Sequence, residues 1–121
     1  MRTLFGCITF LMCTSVFGGN ATLDFTVDGV TSYSELDSEG NIAYGGCMAV
    51  VSGDQISASL PTCADGYVTF SCSGIHNSKS EGAQKFSSAQ LAYVAGSAIR
   101  MKIVDNKKHN GFCFAETVSN R

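Results

Sequence analysis

Residues 105–114 read "DNKKHNGFCF" and hold a histidine, a cysteine, two lysines and two phenylalanines. His109 and Cys113 are the pair in this stretch whose types could do chemistry. An imidazole beside a thiol can take its proton and create a nucleophile, and the same two groups are ligands for zinc. Both uses need a free thiolate. Four cysteines, Cys47, Cys63, Cys72 and Cys113, follow an export-type leader. In an oxidising compartment an even set of this size reads as two disulfides. A zinc site is disfavoured further because Cys63 and Cys72 are nine positions apart, whereas zinc ligands commonly fall two to four apart. Neither histidine has a second ligand at metal spacing. His76, in "SGIHNSKS", reads as a solvated loop residue.

No G-x-S-x-G, H-E-x-x-H or phosphate-cradling glycine loop occurs, so an enzyme, a resident metal and a cofactor are all unsupported. Binding groups remain. Asn106, Lys107, Lys108, His109 and Asn110 place donors and acceptors in one polar segment, and Tyr33, Tyr44, Tyr67 and Tyr93 offer aromatic faces in a chain without tryptophan. Loops on a small rigid β scaffold commonly carry function.

The elements that must position these groups follow from periodicity. "TLDFTVD" (22–28) alternates, with Leu23, Phe25 and Val27 on one face, as a half-buried strand does. "SEGN" (38–41) predicts a turn, with strand material around 30–36 and 42–51 folding back as a hairpin. "SGDQ" and "SLPTCADG" read as loop and "YVTFSC" (67–72) as a strand. The period then changes. Ser78-x-x-Glu81 is a capping box, Ala83, Phe86, Gln90, Tyr93 and Val94 recur at helical spacings, and Gly96 is a C-cap, which predicts a helix over 81–95. "AIRMKIV" (98–104) alternates again with Ile99, Met101 and Ile103 inward. Residues 105–111 read as a polar turn. "FCFAETV" (112–118) is the last strand, its core face ambiguous because both alternating sets contain apolar residues.

The order predicts an α+β, mainly antiparallel domain. A small OB-like Greek-key barrel with its helix between the third and fourth strands fits, and a flat sheet crossed by one helix fits as well. Residues 1–21 read as a cleaved signal peptide: Arg2, then an apolar run from Leu4 to Phe17, then small residues. That run is too short to span a bilayer, so residues 22–121 form a single exported domain with no membrane span. The formal net charge is −2, which argues against nucleic acid as a partner. Charge is unevenly placed. Residues 22–78 hold seven acids and no lysine or arginine, whereas residues 79–121 hold seven bases and three acids. The two halves either pair across one sheet or meet between subunits of a homo-oligomer.

Residues 77–120 resemble the C-terminal half of the B subunits of bacterial AB5 toxins. The resemblance rests on the helix "NSKSEGAQKFSSAQLAYVAG", the strand "AIRMKIV", the turn "DNKKHN" and the final "GFCFAETVSN". The passage "AQLAYVAGSAIRMKI" is similar to that of the subtilase-cytotoxin and typhoid-toxin B subunits. Where the cholera-type subunits carry a tryptophan before the turn, this chain has Val104 or Asp105, and it has four mature cysteines rather than two. The resemblance implies a signal-bearing, disulfide-stapled OB fold that assembles into a ring and binds host-surface glycans. By position it puts Asn106, Lys107 and His109 at the sugar site. The four cysteines allow three pairings. An OB-like fold favours Cys47–Cys72 with Cys63–Cys113, and the local alternative is Cys47–Cys63 with Cys72–Cys113. The expectation is an exported, non-enzymatic binding module, secreted or periplasmic. The alternative is a structural or inhibitory protein that acts by protein–protein contact.

Overall fold

The computed structural model describes residues 19–120. Most of the expected signal peptide, residues 1–18, lies outside the described residues. Five strands and one main helix form a mixed, mainly antiparallel sheet, in agreement with the α+β expectation. The strands are β1 (Asn20–Ser32), β2 (Cys47–Val51), β3 (Tyr67–Thr69), β4 (Ala98–His109) and β5 (Phe112–Asn120). They close in the order β1-β2-β3-β5-β4, with β4 returning to pair with β1. Every pairing is antiparallel except β3 with β5, which meet only at Thr69 and Phe114.

Alternation sets the interior. Phe25 and Val27 of β1 and Ile99, Met101 and Ile103 of β4 are buried in one core, joined by Ala49, Val51, Val68 and Phe70. Bulges shift that alternation in two places. In β1, Val27 pairs with Val51 and Gly29 with Val50, so Asp28 is the extra residue and Val30 turns toward the core after it. In β5, Thr117 pairs with Lys102 and Ala115 with Ile103, so Glu116 is extra. Cys113 and Ala115 therefore face the core from one phase and Val118 from the other. Both alternating sets of β5 are apolar because the core phase changes at the bulge and because Phe112 and Phe114, on the other phase before it, pack against Tyr44 and Tyr67 and against His76.

The predicted hairpin around 38–41 is smaller than expected. The turn forms, with the Asp37 carboxylate accepting from the N–H groups of Glu39 and Asn41, but Leu36 and Ile42 make a single bridge. β1 instead continues to Ser32 and pairs directly with β2, which leaves residues 33–46 as a connection. A short helix, α1 (Gln55–Ser59), takes in the last residue of "SGDQ" and the first of "SLPTCADG", both read as loop, and sinks Ile56 into the core. The strand expected over 67–72 ends at Thr69, and Ser71 takes a left-handed backbone (φ 53°).

The main helix, α2 (Lys79–Ala95), carries both halves of the capping box and a left-handed Gly96. Of the residues that recur at helical spacing, only Phe86 packs. Gly82, Ala89 and Ala92 are buried, with Phe86 against the core, whereas Ala83, Gln90, Tyr93 and Val94 face outward. Small side chains allow the close approach. A Cβ on Gly82 would lie 2.8 Å from Cys72 Cα.

Two disulfides staple the fold: Cys47–Cys72, with Cα atoms 5.7 Å apart, and Cys63–Cys113, at 5.5 Å. The acidic and basic halves meet within the sheet at one register position, where Arg100 sits opposite Asp24 and holds its carboxylate through two N–H groups at 2.8 and 3.1 Å. Among the described residues, no helix is long and apolar enough to cross a membrane.

Candidate functional site

The segment read as a turn over 105–111 is mostly strand. β4 runs to His109, and the reversal is the two-residue Asn110-Gly111 turn, both with positive φ (54° and 89°). Asn-Gly is the pair that a tight hairpin with these signs of φ demands. Composition misled here because the polar run is a wide bulge. Val104 pairs with Phe114 and Lys108 with Cys113, so Asp105, Asn106 and Lys107 have no partners on β5. Asp105 instead ties to the start of the described chain, accepting from Gly19 N–H at 2.6 Å and donating its own N–H to Gly19 C=O at 3.1 Å.

The three expected ligand residues do not converge. Asn106 is exposed on the bulge, and Lys107 extends over the Phe114 ring, 5.8 Å from its centre. His109 is 8% exposed. It belongs to a packed polar cluster rather than to a polar turn, and His76 belongs with it rather than with solvent. Ser71, fully buried, lies 2.9 Å from His109 Nε2 through its Oγ, which also accepts the His76 backbone N–H at 3.0 Å. His76 Nε2 contacts the Lys108 carbonyl at 3.0 Å, and the two imidazoles are 4.6 Å apart.

These partners assign the protons. A carbonyl only accepts, so His76 Nε2 carries its hydrogen. Among the described contacts the Ser71 hydrogen has an acceptor only where His109 Nε2 takes it, the arrangement in which neutral His109 is protonated on Nδ1. Burial, and then the adjacent His76, hold the His109 pKa below the usual imidazole range, while Asp37 pulls weakly the other way. A hydroxyl–imidazole contact of this kind resembles half of a hydrolase site. Ser71, however, has no solvent exposure. Gly45 completes the packing, because a Cβ there would lie 2.5 Å from His109 Cδ2 and 2.6 Å from Thr69 Oγ1.

On the outer surface beside this cluster, aromatic side chains converge. Tyr33, Tyr44, Tyr67 and Phe112 surround Met48 in a cleft of about 110 Å³. The ring centres are 4.8 Å apart for Tyr33 and Tyr44, 5.9 Å for Tyr44 and Phe112, and 5.3 Å for Tyr67 and Phe112. Three of the four tyrosines singled out in the sequence thus share one site, and Tyr93 stands apart on α2. Tyr44 is held in a left-handed conformation (φ 55°) that a bulky residue rarely adopts. Its N–H donates to Asn110 Oδ1 at 2.8 Å and its C=O accepts from Thr69 Oγ1 at 2.9 Å. The same Thr69 oxygen accepts the Ser71 N–H at 3.2 Å. All three non-glycine residues with positive φ among the described residues, Tyr44, Ser71 and Asn110, therefore belong to one hydrogen-bonded assembly.

Sequence reasoning passed over Phe112, Met48 and Ser71. Phe112 was legible in principle, as the outward member of the β5 alternation. Ser71 carried no signal, because its strain depends on contacts made by chain far away. Among the described residues, no group of three or more His, Cys, Asp or Glu is placed to hold a metal ion. No family model, curated protein or solved structure matches the chain.

Proposed function

We propose that this chain is an exported, non-enzymatic binding module that recognises glycans through the aromatic cleft, on an OB-like fold of the toxin-B-subunit kind. The observation that carries the reading is the convergence of Tyr33, Tyr44, Tyr67 and Phe112 on one cleft, with Tyr44 fixed against its backbone preference by Asn110 and Thr69. Strained residues concentrate where function over-determines the backbone. Aromatic faces pack on the C–H face of a sugar ring, and phenolic hydroxyls can bond its rim. The fold assignment draws support from the five-strand closed order and the helix between β3 and β4. Two disulfides are compatible with an oxidising, secreted or periplasmic setting.

A second reading, protein–protein contact or self-association, is favoured by a different observation. Leu91, Tyr93 and Val94 lie exposed along the outer face of α2, Val94 at 82%. A glycan array probed with the oxidised secreted protein, beside light scattering, separates the two. The cleft reading expects hits that vanish in Tyr67→Ala while the fold persists by circular dichroism. An array without hits, or hits that survive that substitution, overturns it.

A further inference from the structure

The second half of β5 has a hydrogen-bonded neighbour on one side only. β3 reaches β5 at Phe114 and goes no further, so residues 115–120 pair with β4 alone. An unpaired strand edge presents a row of N–H and C=O groups that need partners. Helix α2 runs beside this edge and is held to it at two points. Lys85 Nζ donates to Ala115 C=O at 3.0 Å, and Asn120 Nδ2 donates to Ser88 C=O at 3.2 Å. Between these ties the helix and the strand stand apart, and a groove of about 340 Å³ opens. Its helix wall is Glu81, Gln84, Lys85 and Ser88; its floor is the consecutive run Glu116, Thr117 and Val118. Neighbouring residues of a strand point to opposite faces. At the Glu116 bulge that alternation is interrupted, and the groove runs beside residues of β5 that pair with β4 alone.

We infer that this groove takes an extended peptide, which adds to β5 as a further strand beneath α2 and carries basic side chains. The extended conformation follows from the edge, since only a strand can match its N–H and C=O groups repeatedly. The basic character follows from the charges left open. The Lys85 ammonium is occupied by Ala115 C=O, by Asn77 Oδ1 at 2.8 Å and by the Phe114 ring at 4.4 Å. Glu81 and Glu116 remain along the walls, Glu81 kept ionised by its Ser78 capping contacts and Glu116 sharing one oxygen with Lys102 at 3.2 Å. The site is separate from the aromatic cleft, which touches β5 at Phe112, and it stands whether or not that cleft binds sugar.

The test uses the oxidised full chain against a phage-displayed library of random heptapeptides. The expected winners alternate Lys or Arg with β-branched residues. A synthetic winner should slow hydrogen exchange at amides within 115–120 and leave the Tyr44 and Tyr67 region unchanged. Gln84→Trp, which fills the groove from an exposed helix position, should abolish binding, whereas Ser87→Trp, on the same helix but outside the groove, should not. Glu116→Gln should weaken binding by about threefold, as loss of one exposed charge pair does. No enrichment, protection elsewhere on the molecule, or full binding by Gln84→Trp would each overturn the proposal.

Discussion

Acidification from pH 7.5 to pH 5 should weaken this fold through His109. The neutral ring accepts the Ser71 hydroxyl at 2.9 Å, and protonation turns Nε2 into a donor. Nε2–H would then donate to the second lone pair of Ser71 Oγ, and the Ser71 hydrogen would lose its acceptor in a buried site. An unmet buried donor costs on the order of 1–3 kcal/mol. The positive ring would also face His76 at 4.6 Å, with Asp37 the one opposing carboxylate acting on it. The sign follows directly. The folded-state pKa is depressed by burial and then by His76, so the folded protein binds fewer protons than the unfolded chain. Stability is therefore fully present above the unfolded imidazole value of about 6.5 and falls as pH drops toward the folded value, by at most about 1.4 kcal/mol per pH unit for one proton. His109→Gln keeps a neutral acceptor for Ser71 and cannot titrate. It should start less stable by about 0.5–3 kcal/mol, as most buried substitutions do, and show a flatter profile. The assay is urea denaturation at half-unit pH steps, with NMR titration of the His109 ring. Asp37 does not blur the window. Its pKa is lowered from an already acidic value, chiefly by the backbone N–H groups of Asn41 and Glu39, so its contribution is lost only at more acidic pH. Parallel pH profiles for the wild type and His109→Gln, or a His109 ring titrating at or above the ordinary imidazole value, would refute the reasoning.

Three further outcomes are expected. Cys63–Cys113 spans 50 residues and Cys47–Cys72 spans 25, so chain entropy predicts losses of about 4 and about 3.5 kcal/mol when each pair is replaced by serine or alanine; non-reducing peptide mapping should recover these pairs and no Cys47–Cys63 linkage. Gly82→Ala gains helix propensity of about 1 kcal/mol, but the new Cβ would meet Cys72 Cα at 2.8 Å and Cys72 N at 3.0 Å. That backbone is tied down by its disulfide, so the clash should dominate and lower the urea midpoint. Ser78→Ala removes the hydroxyl that accepts the Glu81 N–H at 3.0 Å and should cost about 1 kcal/mol in the same measurement.

What could be read in the sequence was what local chemistry decides. The α2 boundaries were legible because Ser78, Glu81 and Gly96 satisfy their own helix ends within a few residues. The inward faces of β1 and β4 were legible because Phe25, Val27, Ile99, Met101 and Ile103 alternate without interruption. The face of α2 was not, because its packing is governed by close approach rather than by apolar area. Gly82, Ala89 and Ala92 are buried, Gly82 where a Cβ would meet Cys72 Cα at 2.8 Å, and Tyr93 and Val94 are left outside. β5 was ambiguous for a related reason, since the extra residue at Glu116 changes phase mid-strand and no residue type announces a bulge.

The candidate site was legible in its parts and not in its assembly. Tyr33, Tyr44 and Tyr67 stood out as aromatic faces, but what joins them is the connection 33–46 lying across the end of the β4–β5 hairpin. The connection is held by its own backbone groups: Tyr44 N–H donates to Asn110 Oδ1, Tyr44 C=O accepts from Thr69 Oγ1, and Gly45 C=O accepts from Ser73 N–H at 2.9 Å. The backbone side of these bonds leaves no mark on residue type within the connection. Their consequence does, because holding Tyr44 and Ser71 left-handed is costly for non-glycine residues. A chain free to vary would relieve that cost with glycine, as it does at Gly45, where the close approach of His109 leaves no room for a side chain. At position 44 glycine would relieve the backbone but remove a ring from the cleft. At position 71 it would remove the hydroxyl that links His109 to His76. The same physical test, strain kept where glycine would relieve it, therefore points to both the aromatic cleft and the imidazole pair, which Thr69 joins by accepting from Ser71 N–H and donating to Tyr44 C=O.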